Sequence, residues 1–183
     1  MQALSQSRRI SVAALLVALL VPAGAFAADR SALTIEARNA LQRLTSTVPA
    51  AKALSGRAVA VVVFPKVTKA GLGFGGQYGD GVLFKGGKPV AYYNTSGASF
   101  GLQAGAQTYG YAMFLMNEQA VAALGANEGF EVGVGPSVVV VDQGMAKTVT
   151  TTTATNDIYA FIFGQKGLMA GVGVQGNKIT RLD

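Results

Sequence analysis

Apolar side chains recur every three or four residues in the first part of the chain after residue 30. They are Leu33, Ala37, Ala40, Leu41, Leu44 and Val48, with charged and amide side chains between them. This spacing predicts an amphipathic helix of about four turns, with Asp29 or Ser31 as its cap. Pro49 should end it and begin a short second helix over residues 50–54, which Gly56 closes.

After Gly56 the pattern changes to short apolar runs separated by glycine. Residues 58–64 form a continuous valine-rich run that is typical of a buried strand, and Pro65 should stop it. Further strands are predicted over residues 73–78, 81–84, 89–95, 98–107, 109–115, 130–134, 138–142, 145–152, 158–163, 168–174 and 178–181. Residues 80–81 and 85–88 have the composition of hairpin turns. A third helix is predicted over residues 118–124, between Asn117 as cap and Gly125.

Helices followed by many short strands predict an α+β fold, with the N-terminal helices packed on a glycine-rich, mostly antiparallel β sandwich or barrel. No proline- or serine-rich linker divides the chain, so we expect a single domain over residues 28–183. Three glycine pairs, at 71 and 75, 101 and 105, and 167 and 171, share the i, i+4 spacing. Such pairs favour strand coiling at the corners of a small barrel, or else a gap for a ligand.

The first 27 residues have the pattern of a secretory signal peptide. Arg8 and Arg9 precede an apolar run over residues 10–21, and Ala25-Phe26-Ala27 follows as a cleavage site. The run is shorter than the roughly 20 residues that span a bilayer, although an uncleaved anchor is the alternative. We therefore expect cleavage after Ala27 and a periplasmic or secreted protein, with peripheral membrane association.

The composition removes much catalytic chemistry. Half of the 183 residues are hydrophobic and 13% are charged, while cysteine and histidine are absent. Disulfides, thiol nucleophiles, Cys/His zinc sites and Ser-His-Asp triads are thus excluded. We expect no enzymatic activity, no catalytic residue, no metal and no cofactor.

Three motifs suggest chemistry but lack the context for it. The Gly71-x-Gly73-x-x-Gly76 spacing matches a dinucleotide fingerprint, yet turn and strand residues follow where a helix is needed. The Gly-x-Ser99-x-Gly sequence matches a nucleophile elbow, but the chain has no histidine base. Glu128 and Glu131 could pair as carboxylates, although exposed loop charges are the simpler interpretation.

Positive charge is concentrated in the first half of the predicted mature chain. Between Ala28 and Lys88, nine basic residues outnumber three acids, whereas acids outnumber bases from Pro89 onward. A basic half on an exported protein favours an anionic partner such as a lipid headgroup, and nucleic acid is a poor candidate outside the cytoplasm. Ordinary solubilising charge is the alternative.

Two segments could supply a membrane contact. The apolar face of the first helix, flanked by arginines, either packs on the core or lies on a membrane surface. In residues 64–69, a strand end and a proline turn would present Lys66 and Lys69 beside Phe64 or Val67, so that charge meets phosphate while an apolar group meets acyl chain. A solvated turn is the alternative there.

Several stretches together resemble the SYLF domain. They are residues 63–71 running on to Asp80-Gly81, residues 98–105, residues 138–147 with the threonine run 148–153, and residues 158–171. The resemblance extends from about residue 38 to residue 182. It implies a lipid-binding module that is linked in eukaryotic members to phosphoinositides and actin patches. Their N-terminal amphipathic helix and basic residues are credited with the lipid contact. By position, that role would fall here to Arg30, Arg38 and Arg43, together with Lys66 and Lys69.

The export signal makes actin and phosphoinositides unsuitable as natural partners, so actin binding enters only by family analogy. We therefore predict a non-enzymatic domain that binds anionic phospholipid at a membrane surface through the helix and these basic residues. The alternatives are an envelope protein-interaction or stress-related structural module with a protein partner, a small outer-membrane β-barrel, and a hydrolase that uses Ser99 or the carboxylates.

Overall fold

The computed structural model describes residues 23–126, 129–131, 137–141, 155–167 and 177–182. Within these residues the elements run in the following order: α1 (Ala23–Thr47), α2 (Pro49–Ser55), β1 (Ala60–Lys85), β2 (Lys88–Leu115), α3 (Glu118–Leu124), β3 (Phe130–Glu131), β4 (Val138–Val141), β5 (Ile158–Gly167) and β6 (Lys178–Leu182). The strands predicted over residues 145–152 and 168–174 lie outside the described residues.

The helices follow the predicted pattern except at the first boundary. Helix α1 begins at Ala23, before the predicted caps Asp29 and Ser31, because the alanine-rich residues in front of them also favour helix. It ends before Val48, since the residue that precedes a proline is disfavoured in a helix. The short second and third helices are confirmed. In α3 the Asn117 side chain caps the helix by accepting a hydrogen bond from the Ala120 amide at 2.8 Å. Most of the predicted signal peptide, residues 1–22, lies outside the described residues.

The predicted short strands between residues 58 and 115 are joined into one long antiparallel hairpin of β1 and β2. Its turn is at Gly86 and Gly87, whose φ angles of 57° and 75° suit a two-residue hairpin turn, as the sequence predicted. The turn predicted at Asp80-Gly81 is wrong, because these residues pair with Asn94 and Tyr93 inside the hairpin.

The prediction that Pro65 stops the first strand is also wrong. The β1–β2 register shifts between Phe64 and Val67, so the proline lies at a bulge and its missing N–H is tolerated there. The strand continues beyond the bulge to Lys85.

The described sheet has six strands, and β2 is its central member. Strand β2 pairs with β1 along one side; along its other side it pairs with β6 through residues 92–96 and with β5 through residues 107–115. Strand β3 pairs with β6, and all these pairs are antiparallel, while β4 pairs with β5 in parallel. The predicted α+β class, with a mostly antiparallel curled sheet, is confirmed.

Alternating side chains of the sheet enter two different cores. Val62, Phe64, Tyr93, Tyr111 and Ile179 belong to an inner core, which the sheet encloses as it curls and which α3 covers through Ala120 and Leu124. Their sequence neighbours enter an outer core beneath α1 and α2; examples are Val61, Val63 and Phe114. Both faces of this part of the sheet are therefore buried, one by curling and one by the helices.

The first glycine pair permits a sharp coil in β1. A Cβ atom added to Gly71 would lie 2.5 Å from the Gly75 Cα atom and 2.7 Å from the Phe74 carbonyl oxygen. The two glycines thus let the strand fold close against itself, as expected for strand coiling. In this pair the space is filled by the chain's own backbone and is not open to a ligand.

Candidate functional site

The apolar face of α1 belongs to the outer core. Ala37, Ala40 and Leu44 are at most 4% exposed, and the partly buried side chains above and below them pack on the same cluster. The interpretation that this stripe packs on the core is confirmed, and the alternative that it lies on a membrane is wrong for these residues. None of the described helices is both long enough and apolar enough to cross a bilayer.

Arg30 lies at the end of the hairpin that carries the turn. Its guanidinium carbon is 5.0 Å from the centre of the Tyr92 ring, and the Tyr92 hydroxyl is 3.0 Å from the Thr34 hydroxyl. The cation–π contact fixes the direction of an exposed arginine. Arg30 also borders a cleft of 600 Å³ whose far wall carries Arg181, a cation that the sequence analysis did not single out.

Arg38 holds the helix to the hairpin turn. Its Nη1 atom donates a hydrogen bond to the Gly87 carbonyl oxygen at 3.2 Å, and its guanidinium carbon is 5.3 Å from the centre of the Phe84 ring. A side chain committed to two intramolecular contacts is less available to a ligand. We therefore assign Arg38 a mainly structural role.

Arg43 borders a surface groove of 1140 Å³ between α1 and strands β4 and β5. We call it the lateral groove. Lys166, near the end of β5, borders the same groove, as does Pro65, the neighbour of Lys66. Lys166 was missed in the sequence because it stands alone between glycine-rich segments far from the other cations.

The predicted contact in residues 64–69 differs in its apolar part. Phe64 and Val67 have no exposed surface, so neither can reach an acyl chain. Phe64 precedes the bulge at Pro65 and Val67 follows it, and both side chains belong to the inner core. Lys66 is exposed and Lys69 is half-buried.

The exposed apolar side chains lie farther along the same strand. In β1 every even-numbered residue from Lys66 to Tyr78 is exposed, and this set includes Leu72 at 77%, Phe74 at 74% and Tyr78 at 59% exposure. We call these outward-facing residues, from Lys66 to Tyr78, the hairpin face. The strand doubles back along them, since a Cβ atom added to Gly79 would lie 2.6 Å from the Lys66 carbonyl oxygen. The period of two of the hairpin face was present in the sequence, but the intervening glycines led to the prediction of separate strands and turns.

Tyr78 is the aromatic residue of the hairpin face that carries a polar group. Desolvation raises the pKa of Tyr78, with smaller contributions from the charge of Asp80 and a hydrogen bond to it, so the phenol stays neutral at physiological pH. The Asp80 carboxylate is itself held by the Asn94 side-chain amide, which donates to Asp80 Oδ1 at 2.8 Å. Tyr78 thus offers an aromatic ring with a polar tip, the arrangement that suits a membrane interface.

None of the five candidate cations forms an ion pair with an acid in the described part of the chain, where the ion pair found joins Lys85 to Glu118 at 2.9 Å. Arg30 shares a surface cleft with Asp29, Glu36 and Asp80, and Arg38 is held by the hairpin turn. The cations are therefore distributed over separate surfaces, with Arg43 at the lateral groove and Lys66 on the hairpin face.

A polar cluster lies inside the curled sheet, next to the hydrophobic side chains of the inner core. The Tyr111 hydroxyl donates to Thr95 Oγ1 at 2.6 Å, the Tyr109 hydroxyl donates to Gln77 Oε1 at 2.7 Å, and Gln77 Nε2 donates to Asn177 Oδ1. Burial raises the pKa of Tyr109 to about 12 and raises that of Tyr111 further, so both phenols remain hydrogen-bond donors. These hydrogen bonds link β1, β2 and the residue that precedes β6.

The two glycine motifs that suggested dinucleotide binding and a nucleophile elbow lie in extended backbone. Residues 71–76 are part of β1, and residues 97–101 are part of β2, so neither glycine motif is followed by a helix. The phosphate-binding and nucleophile-elbow geometries both need that helix. Glu131 lies exposed on β3, and Glu128 is outside the described residues.

Comparison with known proteins adds one finding. Residues 96–183 match the family model described as Ysc84, Las17-binding protein actin regulator. No curated protein matches the chain. Lys166 lies within the matched segment, whereas all five cations predicted from the sequence precede it. The match confirms, over residues 96–183, the resemblance to the SYLF domain seen in the sequence.

Proposed function

We propose that this protein is an exported, non-enzymatic domain that binds anionic phospholipid at a membrane surface. The observation that carries the proposal is the hairpin face, on which Leu72, Phe74 and Tyr78 are exposed together with the cation Lys66. Exposed apolar side chains grouped on one surface mark interaction sites. The nearby positive charge favours an anionic partner over a neutral one.

Family membership supports the lipid part of the proposal. The SYLF family is associated with lipids and actin patches, and the matched family is described as an actin regulator. The signal-like sequence at the N-terminus directs the chain to the cell envelope, where anionic phospholipid is available and actin is not. We therefore carry over the lipid association and leave the actin association with the family.

Binding should combine two physical effects. Leu72 and Phe74 would enter the interfacial region of the bilayer, and Lys66 on the same face would lie near lipid phosphates. Lys69 starts from the other side of the strand and is half-buried, so its long side chain would have to extend past the strand to reach the phosphates. Each lysine near an anionic surface contributes about 1 kcal/mol, so neutralising both should weaken binding by about 30-fold at low salt. Salt screens exposed charges and should release the protein in the same way.

The test is co-sedimentation of the protein with vesicles of phosphatidylglycerol and of phosphatidylcholine, at low and high salt. We expect binding to phosphatidylglycerol vesicles alone, release by salt, and weaker binding for the Lys66→Gln/Lys69→Gln variant. The matched control is Lys52→Gln/Lys88→Gln, which removes two exposed cations outside the hairpin face. Equal binding to both vesicles, or equal loss in the control, would contradict the proposal and favour a protein partner for this surface.

A further inference from the structure

The lateral groove has the size of a ligand site. Its volume of 1140 Å³ is slightly above the roughly 300–1,000 Å³ found for sites that enclose small molecules. One wall is the C-terminal half of α1, including Leu44 and Thr47. The opposite wall is formed by β4 and β5, including Val141, Phe161 and Phe163.

Two features of the sheet shape the floor of the groove. At the bulge between Phe64 and Val67, Pro65 faces the groove. Opposite it, Gly110 has no side chain, and a Cβ atom added there would lie 2.8 Å from both the Phe163 Cζ atom and the Pro65 carbonyl oxygen. The Phe163 ring therefore rests directly on the strand backbone and leaves an apolar trough beside α1.

The charged side chains among the described lining residues of the groove are all of one sign. Arg43 on α1 and Lys166 on β5 are both exposed and both border it, and no aspartate or glutamate is among its described lining residues. An apolar trough with two cations at its border is complementary to an alkyl chain that carries an anionic head. A neutral or cationic amphiphile lacks that complementarity.

We propose that the lateral groove receives one acyl chain of an anionic phospholipid, with its phosphate held by Arg43 and Lys166. This inference rests on the proposed function, because membrane contact supplies the lipid. It goes further, because it assigns the bound state of a single lipid molecule to a site apart from the hairpin face. The protein would then hold a lipid, and not only touch a bilayer.

The probe is palmitoyl-lysophosphatidylglycerol below its micelle-forming concentration, titrated into the protein by isothermal calorimetry. We expect one molecule bound per chain, at least tenfold weaker binding of palmitoyl-lysophosphatidylcholine, and no binding of glycerol phosphate, which has no chain. Removing both cations, as Arg43→Gln/Lys166→Gln, should reduce the affinity for the phosphatidylglycerol probe at least tenfold and remove most of the preference for it.

A blocking variant tests the position of the chain. Thr47→Trp places a large ring at the groove from an exposed site, and we expect at least a tenfold loss of affinity for the probe. Ser46→Trp is the matched control, because Ser46 is also exposed, does not border the groove, and its hydroxyl also donates to the Arg43 carbonyl oxygen. Circular dichroism of both variants checks that they fold alike.

The outcomes separate this inference from the proposed function. If the unchanged protein binds phosphatidylglycerol vesicles but not the monomeric probe, the groove inference is wrong and surface binding stands. If it binds the probe but not the vesicles, the groove inference stands and the hairpin face loses its role. Equal affinity of Thr47→Trp and Ser46→Trp, or equal affinity for the two lysolipids, would overturn the groove inference.

Discussion

Replacing Leu72 and Phe74 of the hairpin face by threonine should separate the apolar part of membrane binding from the charged part. Threonine is β-branched, which suits a strand, and it removes most of the apolar surface. Both side chains are exposed in the free protein, at 77% and 74%. Their replacement should therefore leave the free energy of unfolding within about 0.5 kcal/mol of its original value.

The size of the effect follows from the exposed fractions. Full burial of a leucine or phenylalanine side chain is favourable by about 1.5–3 kcal/mol, and three-quarters of each side chain remains to be buried here. Because threonine retains part of this apolar surface, the double variant should lose about 2–3 kcal/mol, or roughly 30- to 150-fold in vesicle affinity.

The salt dependence shows which interaction has been removed. Burial of apolar surface does not depend on ionic strength as exposed charges do, so Leu72→Thr/Phe74→Thr should bind weakly with an unchanged salt slope. Lys66→Gln/Lys69→Gln should bind weakly with a shallower slope. Co-sedimentation over a range of salt concentrations measures both quantities.

The matched control for the double variant is Val90→Thr. Val90 is 51% exposed and lies on β2, away from the hairpin face. A comparable loss of binding in this variant would show that exposed apolar surface acts without regard to position. Full binding by the double variant would refute the reasoning, since the hairpin face would then contribute no burial at the membrane.

Two predictions concern the stability of the fold. Gly81→Ala should destabilise the fold by about 1–3 kcal/mol in urea denaturation, because the added Cβ atom would lie 2.5 Å from the Phe64 ring and 2.7 Å from the Val63 carbonyl oxygen. Gly76→Ala on the same strand is the control and should be nearly neutral, because the atom nearest to its added Cβ would be 3.7 Å away. Equal effects of the two substitutions would contradict the packing argument. The pKa of Asp157 is lowered below its usual 3.8 by hydrogen bonds from the Ser137 amide, the Asn117 side chain and the Ser137 hydroxyl. The contribution of Asp157 to stability is therefore complete above its usual pKa of 3.8, and it is lost as the pH falls through the lower pKa of the folded state. Asp157→Asn should therefore flatten the fall of the urea midpoint below about pH 4. If the fall is unchanged in this variant, it arises from other carboxylates.

Local signals predicted the helices and the main turn. Pro49, Gly56, Asn117 and Gly125 mark helix ends through backbone constraints that act within a few residues, and the Gly86-Gly87 turn needs positive φ angles that glycine allows. These features do not depend on the rest of the fold. The start of α1 was misplaced because alanine-rich sequence can continue a helix past a residue that could cap it.

The length of the hairpin could not be read from the sequence. Glycine and proline normally end strands, yet β1 continues through Pro65 at a bulge and through Gly71 and Gly75 at a coil, because cross-strand pairing with β2 compensates locally for their weak strand preference. The same error concealed the hairpin face, since Leu72, Phe74 and Tyr78 were divided between a predicted loop and a predicted strand. The lateral groove forms because α1, with Arg43, lies beside β5, which is distant in sequence, and no local pattern indicates this arrangement.

The position of α1 decides which surface can face a membrane. If α1 left the sheet to lie on a bilayer, two apolar surfaces would be uncovered: its own face, with Leu44, and the outer face of the sheet, with Val61, Val63 and Phe84. The bilayer could cover the helix face, but the sheet face would remain in water, and each large side chain exposed there would cost about 1.5–3 kcal/mol. The hairpin face carries no such cost, because Leu72 and Phe74 are already in water before binding. We therefore expect the helix to stay on the sheet and to act through Arg43 at the lateral groove, while the hairpin face makes the first contact with the lipid.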